Sequence, residues 1–131
     1  MPAPVVAEPA GRLLVVDDEV DVRELVGLAA EACGWTCDGA GSVAEVDRRL
    51  PGAYDLVLVD LVLGDEDGAS VLELLARTGS GAQVLLMSGG TDHRFDVAAS
   101  AARGDGLHVA GSLHKPFRLA ELRALLAERS G

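Results

Sequence analysis

Leu56-Val57-Leu58-Val59-Asp60 is a run of four apolar residues, two of them β-branched, closed by an aspartate. A short apolar run without alternation suits a central parallel strand covered by helices on both faces, and ligands of such sheets gather at the carboxyl ends of the strands. Asp60 is therefore read as the reactive centre. Three other runs have the same form. Leu13-Leu14-Val15-Val16 ends in Asp17-Asp18-Glu19, Val84-Leu85-Leu86-Met87 ends in Ser88-Gly89-Gly90, and Leu107 to Leu113 runs out through His114 into Lys115-Pro116. If these strands are parallel and adjacent, a carboxylate pair, a lone carboxylate, a hydroxyl and an ammonium meet at one edge.

The 131 residues are one domain's worth, and 49% hydrophobic content with only 3% aromatic predicts a core of Leu, Val and Ala. A net charge of −10 argues against nucleic acid or an anionic membrane as a direct partner, because phosphates are repelled at long range. No apolar run approaches the roughly 18–20 residues that span a bilayer. The first ten residues hold three prolines and lack the basic start and apolar core of a signal peptide. They read as a disordered tail preceding a domain over residues 11–131, and a cytoplasmic protein is predicted. Cys33 and Cys37, the only cysteines, read as small buried hydrophobes, and His93, His108 and His114 are too scattered to form a ligand set.

Between the strands the period changes to that of helices. Val22, Leu25, Val26, Ala29, Ala32 and Cys33 recur at helical spacing, with Gly34 as a stop. Trp35 to Ala40 reads as a short edge strand. Ser42-Val43-Ala44-Glu45 is a capping box opening a helix with Val43, Val46 and Leu50 inward, closed by Pro51-Gly52. After the turn Gly64-Asp65-Glu66-Asp67-Gly68, a helix follows from about Ala69 to Arg77 with Leu72 and Leu75 inward. Thr91 or Asp92 can cap the next, whose inward stripe is Phe95, Ala98, Ala99 and Ala102. The last runs from about Arg118 to Glu128 with Leu119, Leu122, Leu125 and Leu126 toward the sheet. Five strands alternating with five helices imply right-handed crossovers and a doubly wound α/β fold.

Two carboxylates about 5 Å apart repel by about 3 kcal/mol at an effective dielectric near 20, so Asp17, Asp18 and Asp60 need compensating charge. Lys115 supplies one, and Mg²⁺, which takes carboxylates plus water and phosphate oxygens, supplies the rest. The ligand that such a centre lacks is a phosphoryl group. A carboxylate attacks phosphorus to form an acyl phosphate, and Mg²⁺, Lys115 and the Ser88 hydroxyl would surround the developing charge while Gly89 lets a backbone N–H approach.

With these residues in place, the stretch from about Gly11 to Arg129 resembles a receiver domain of two-component response regulators. Asp17-Asp18 resembles the family's acidic pair, Asp60 its phosphoacceptor, Ser88 its switch hydroxyl, Lys115-Pro116-Phe117 its Lys-Pro-Phe motif, and Leu63 to Gly68 its loop after the phosphoacceptor. The resemblance implies a flavodoxin-like sheet in the order 2-1-3-4-5, Mg²⁺ held by Asp17, Asp18, Asp60 and the Val62 backbone carbonyl, and a cis bond before Pro116. As partners it implies a sensor histidine kinase or histidine phosphotransfer protein, an output partner or fused effector not visible in this chain, and room for a homodimer through the fourth and fifth helices. The chain departs from the family at Gly64, where proline is usual, and at Ser112, where an aromatic switch residue is usual.

Three rival readings are weighed against this one. Asp65-Glu66-Asp67-Gly68 superficially matches the D-x-D-G motif of haloacid-dehalogenase-type phosphatases, but their first acid ends the strand, as Asp60 does here and Asp65 does not. A flavin- or nucleotide-binding module would need glycine and hydroxyls after the first strand instead of three acids. A degenerate, unphosphorylated receiver is disfavoured because no expected group is missing.

Overall fold

The structure is a computed structural model that describes residues 11–50, 53–89 and 94–129. The expected tail over residues 1–10, the Pro51-Gly52 helix stop, Gly90, the Thr91 or Asp92 cap and His93 lie outside them. Leu56–Asp60 forms β3, with all five residues buried. Its neighbours are β1 (Gly11–Val16) and β6 (Gln83–Gly89), flanked in turn by β2 (Trp35–Ala40) and β7 (His108–Lys115). All pairings in this sheet are parallel, in the order β2-β1-β3-β6-β7. A two-residue antiparallel hairpin, β4 (Val62–Leu63) with β5 (Glu66–Asp67), stands apart from it where a simple turn was expected. With the hairpin left out of the count, the order is the expected 2-1-3-4-5.

Because successive strand residues face opposite sides, the apolar runs divide into two cores. Leu13, Val15, Leu56, Leu58, Leu85, Met87 and Leu113 lie on the side of α1 (Val20–Ala32) and α5 (Leu119–Arg129). Leu14, Val16, Val57, Val59, Val84 and Leu86 lie on the side of α2 (Val43–Arg49), α3 (Gly68–Arg77) and α4 (Arg94–Gly104). Trp35, on the edge strand, donates its indole N–H to Leu126 O at 3.2 Å and so ties β2 to α5.

The helix ends follow the expected chemistry. Ser42 caps α2 by accepting from Glu45 N at 3.2 Å, while the Glu45 carboxylate accepts from Gly41 N, one residue before the position a reciprocal box would use. Asp67 caps α3 by accepting from Ala69 N at 2.9 Å. Gly68, at the start of that helix, has no room for a side chain: a Cβ there would lie 2.2 Å from Asp60 O. The predicted alanine stripe of α4 is buried at Ala98, Ala99 and Ala102.

Two helix faces differ from the periodicity. In α5, Leu122 and Leu126 are fully buried, but Leu119 is 41% exposed because it sits one turn earlier, beyond the end of β7. In α1, Ala30 is buried in place of Ala32, which is exposed in the last turn. Strand β7 carries a bulge: Val84 pairs with Val109 but Leu85 with Gly111, so Ala110 is the extra residue.

Candidate functional site

The carboxyl ends of β1, β3, β6 and β7 bring Asp17, Asp60, Ser88 and Lys115 to one edge, as the sequence predicted. Register fixes the direction of each. Asp17, Asp60 and Lys115 continue the alternation of Val15, Leu58 and Leu113, on the side of α1 and α5. Ser88 continues that of Val84 and Leu86, on the side of α4. Ser88 thus leaves its strand toward the opposite face of the sheet from the charged trio, one residue past Met87, the strand partner of Asp60.

Asp17 is fully buried and Asp60 is 6% exposed. Lys115 Nζ lies between them, 2.7 Å from Asp17 Oδ2 and 2.8 Å from Asp60 Oδ2. To Asp60 it donates a hydrogen bond. To Asp17 it comes off the hydrogen-bonding direction, so this buried oxygen is ion-paired but not hydrogen-bonded. The remaining oxygens are held by backbone: Asp17 Oδ1 accepts from Glu19 N and Asp60 Oδ1 from Val62 N, both at 2.9 Å. Asp18 is exposed, yet one oxygen from each of Asp17, Asp18 and Asp60 falls within 4.8 Å of the others.

Burial pushes the Asp17 carboxyl up from its ordinary value, and the Asp60 charge adds to this; the Lys115 ammonium and the Glu19 N–H oppose it without cancelling it. For Lys115, burial acts to lower the pKa, but the two carboxylates outweigh it and hold the ammonium above the usual lysine range. Among the described residues Lys115 is the cation paired directly with the Asp17 and Asp60 carboxylates, in a pocket that gathers three acids. The donor set fits Mg²⁺: hard carboxylate oxygens, a buried Asp17 Oδ2 with hydrogen-bonding capacity to spare, and an exposed Asp18 side that leaves positions for water.

The loop past Asp60 is built around the same pocket. Gly64 adopts φ +59°, and a Cβ there would lie 3.6 Å from Asp18 Oδ2. A proline, locked near φ −65°, cannot take this conformation, so the departure at residue 64 changes the turn beside Asp18. Glu66 Oε1 accepts from Val43 N at 3.2 Å and Asp67 caps α3, so two of the D-x-D-G residues have structural partners away from Asp60. The Lys115–Pro116 bond is cis. Ser112 is exposed on β7, as are His108 and His114. Cys33 and Cys37 are free and half-buried.

Sequence reasoning missed Arg23. Its guanidinium Nη1 donates to Asp17 O at 2.7 Å, from a path over Gly39 and Gly41. The closely spaced glycines at the end of an edge strand are its only trace in the sequence.

Comparison with known proteins converges on one family. The family model for the response regulator receiver domain matches residues 13–127. The chain is 34% identical over 122 residues to the probable transcriptional regulatory protein TcrX of Mycobacterium tuberculosis, covering 87% of this chain and 49% of that protein. It is 35% identical over 116 residues to the transcriptional regulatory protein PmrA of Pectobacterium parmentieri, covering 86% and 49%. It thus spans about half the length of the curated relatives it matches. Among solved structures, a response regulator from Colwellia psychrerythraea superposes with a TM-score of 0.76 at 24% identity over 92% of this chain and 97% of that one, a likeness of fold.

Proposed function

Since the chain belongs to the response regulator receiver domains of two-component systems, we propose that Asp60 is its phosphoacceptor, taking a phosphoryl group from a phosphohistidine on a sensor kinase or histidine phosphotransfer protein. The observation that carries this reading is Lys115 Nζ held between Asp17 and Asp60 at 2.7 and 2.8 Å, at the strand ends. A nucleophilic carboxylate is thereby buried beside a fixed cation, with further acids ready for a metal.

In the proposed transfer, an Asp60 carboxylate oxygen attacks phosphorus and forms the new P–O bond. The P–N bond breaks, its electron pair stays on nitrogen, and the histidine leaves as neutral imidazole with its other nitrogen protonated. Lys115 pairs with charge developing on one phosphoryl oxygen, and the Ser88 hydroxyl and Gly89 N–H donate to others. Asp17, Asp18, Asp60 and the Val62 carbonyl would hold Mg²⁺, which neutralises phosphoryl charge when bound. The Val62 N–H on Asp60 Oδ1 and the Glu19 N–H on Asp17 Oδ1 fix both carboxylates before any donor arrives. Ser88, reporting to the α4 side, would carry the phosphorylated state to that face, and a partner or fused effector would read it. The domain is a signalling module, and no helix among the described residues is long and apolar enough to cross a membrane.

Incubation with a small phosphodonor such as acetyl phosphate, followed by intact-mass measurement, tests the assignment. The wild type gains one phosphoryl group in Mg²⁺; Asp60→Ala and EDTA-treated protein gain none. Labelling of Asp60→Ala at the wild-type level refutes it.

A further inference from the structure

We propose that Arg23 is a positioning residue for Mg²⁺, fixing the Asp17-Asp18 turn from behind; the inference rests on the metal reading above. The Arg23 guanidinium donates to Asp17 O at 2.7 Å, while the residue's backbone N–H makes the first helical bond of α1, to Glu19 O at 3.2 Å, which any residue here would make. Asp17 N completes the hold by donating to Ala40 O at 3.0 Å. The Glu19 N–H holds the Asp17 carboxylate from within the turn, and the guanidinium adds a hold on the Asp17 carbonyl from outside it.

The route of the side chain is built into β2 and the turn after it. A Cβ on Gly39 would lie 3.1 Å from Arg23 Cδ, and one on Gly41 would lie 2.9 Å from Nη1. Neither glycine adopts the left-handed backbone found at Gly34 or Gly64. What these positions supply is the missing side chain, which opens a slot for the guanidinium to cross the strand end. Arginine suits the slot because it is long, planar and directional, whereas lysine offers a hydrated point charge.

The two ways in which Arg23 can act on Mg²⁺ have opposite signs. As a nearby cation it repels a divalent ion, so neutralising it would tighten binding. As a clamp that orients two carboxylate ligands it favours the ion, so releasing it would weaken binding, as loss of outer hydrogen-bond partners does at metal sites.

The experiment titrates Mg²⁺ into the whole 131-residue chain, following amide NMR shifts of the Asp17–Glu19 turn, with thermal melts in EDTA and in Mg²⁺. Arg23→Gln removes the clamp and the charge; Gly41→Ala displaces the guanidinium and keeps the charge, on a backbone that tolerates alanine. Both are expected to weaken Mg²⁺ by about tenfold, the lower end of such outer-partner effects, with Arg23→Lys in between. Asp18→Asn is the control for the metal site itself. Tighter or unchanged Mg²⁺ binding in Arg23→Gln, or unchanged binding in Gly41→Ala, overturns the proposal. So does a lower melting point in which the gain from Mg²⁺ stays at the wild-type size, the mark of a merely structural role. If Asp18→Asn also binds Mg²⁺ normally, the metal reading fails; if it binds weakly while the Arg23 and Gly41 variants bind normally, only the role of Arg23 fails.

Discussion

Replacing Lys115 with methionine keeps the unbranched apolar stem and deletes the charge that compensates the pocket. Asp17 and Asp60 are then left with oxygens within 4.8 Å of one another and no ammonium between them. At an effective dielectric near 20 their repulsion is about 3.5 kcal/mol, in line with the roughly 3–5 kcal/mol lost when one partner of a buried ion pair is removed. A loss of about 3 kcal/mol is expected in EDTA at pH 7, or roughly 10 °C in Tm for a domain of this size. The sign with pH follows from Asp17. In the variant, burial and the Asp60 charge, the two influences that raise its carboxyl pKa, act without the Lys115 ammonium against them. A folded pKa above the unfolded value of about 3.9 means that the folded state holds the proton more tightly, so the penalty is full above the folded pKa and fades as pH falls toward 4. Mg²⁺ at neutral pH should restore most of the stability by replacing the missing charge. Melts of wild type and Lys115→Met at pH 4 and pH 7, with EDTA and with Mg²⁺, test all three signs. A variant within about 2 °C of wild type in EDTA at pH 7, less than 1 kcal/mol for this size, refutes the argument, as does an equal loss at pH 4.

Other positions give sharper local tests. Gly68→Ala forces a Cβ against two backbone atoms, 2.2 Å from Asp60 O and 2.7 Å from Leu61 Cα, and should cost about 3 kcal/mol by urea unfolding; a loss under about 1 kcal/mol would mean the hairpin yields freely. Burial and the neighbouring Asp38 and Glu31 charges push the Cys37 thiol up to about 11. At pH 8 iodoacetamide should therefore alkylate Cys37 about a hundredfold more slowly in folded than in guanidinium-unfolded protein, as peptide mass mapping would show; equal rates would contradict this. Ser112 has no ring to rotate, so phosphorylation is expected to act on α4 and the segment before it, over residues 88–103. Amide exchange with and without beryllofluoride should change most there and less in Ser88→Ala, whereas a response confined to α1 and α2 would count against this route.

The sequence by itself determined whatever depends on short-range pattern. Four apolar runs each ending in a polar group placed Asp17, Asp60, Ser88 and Lys115 at strand ends, and Ser42 was legible as the start of its helix because its capping bond joins residues three apart. The strand order came from the family that the motifs resemble, since periodicity says what an element is and not what lies beside it. Only the tertiary structure decided the rest. The Lys115–Asp60 pair joins residues 55 apart in sequence, and its geometry exists only once β3, β6 and β7 are in register. Register also makes Ser88 leave its strand on the side opposite the charged trio, because each one-residue step along a strand reverses the side chain. Gly68 looks like an ordinary turn glycine until Asp60 O is found where its Cβ would be. Arg23 carries no local signal at all: its partner is a backbone carbonyl six residues back, reached across a gap left by two glycines on another strand's end. Such contacts depend on the space between elements, which no single stretch of sequence encodes.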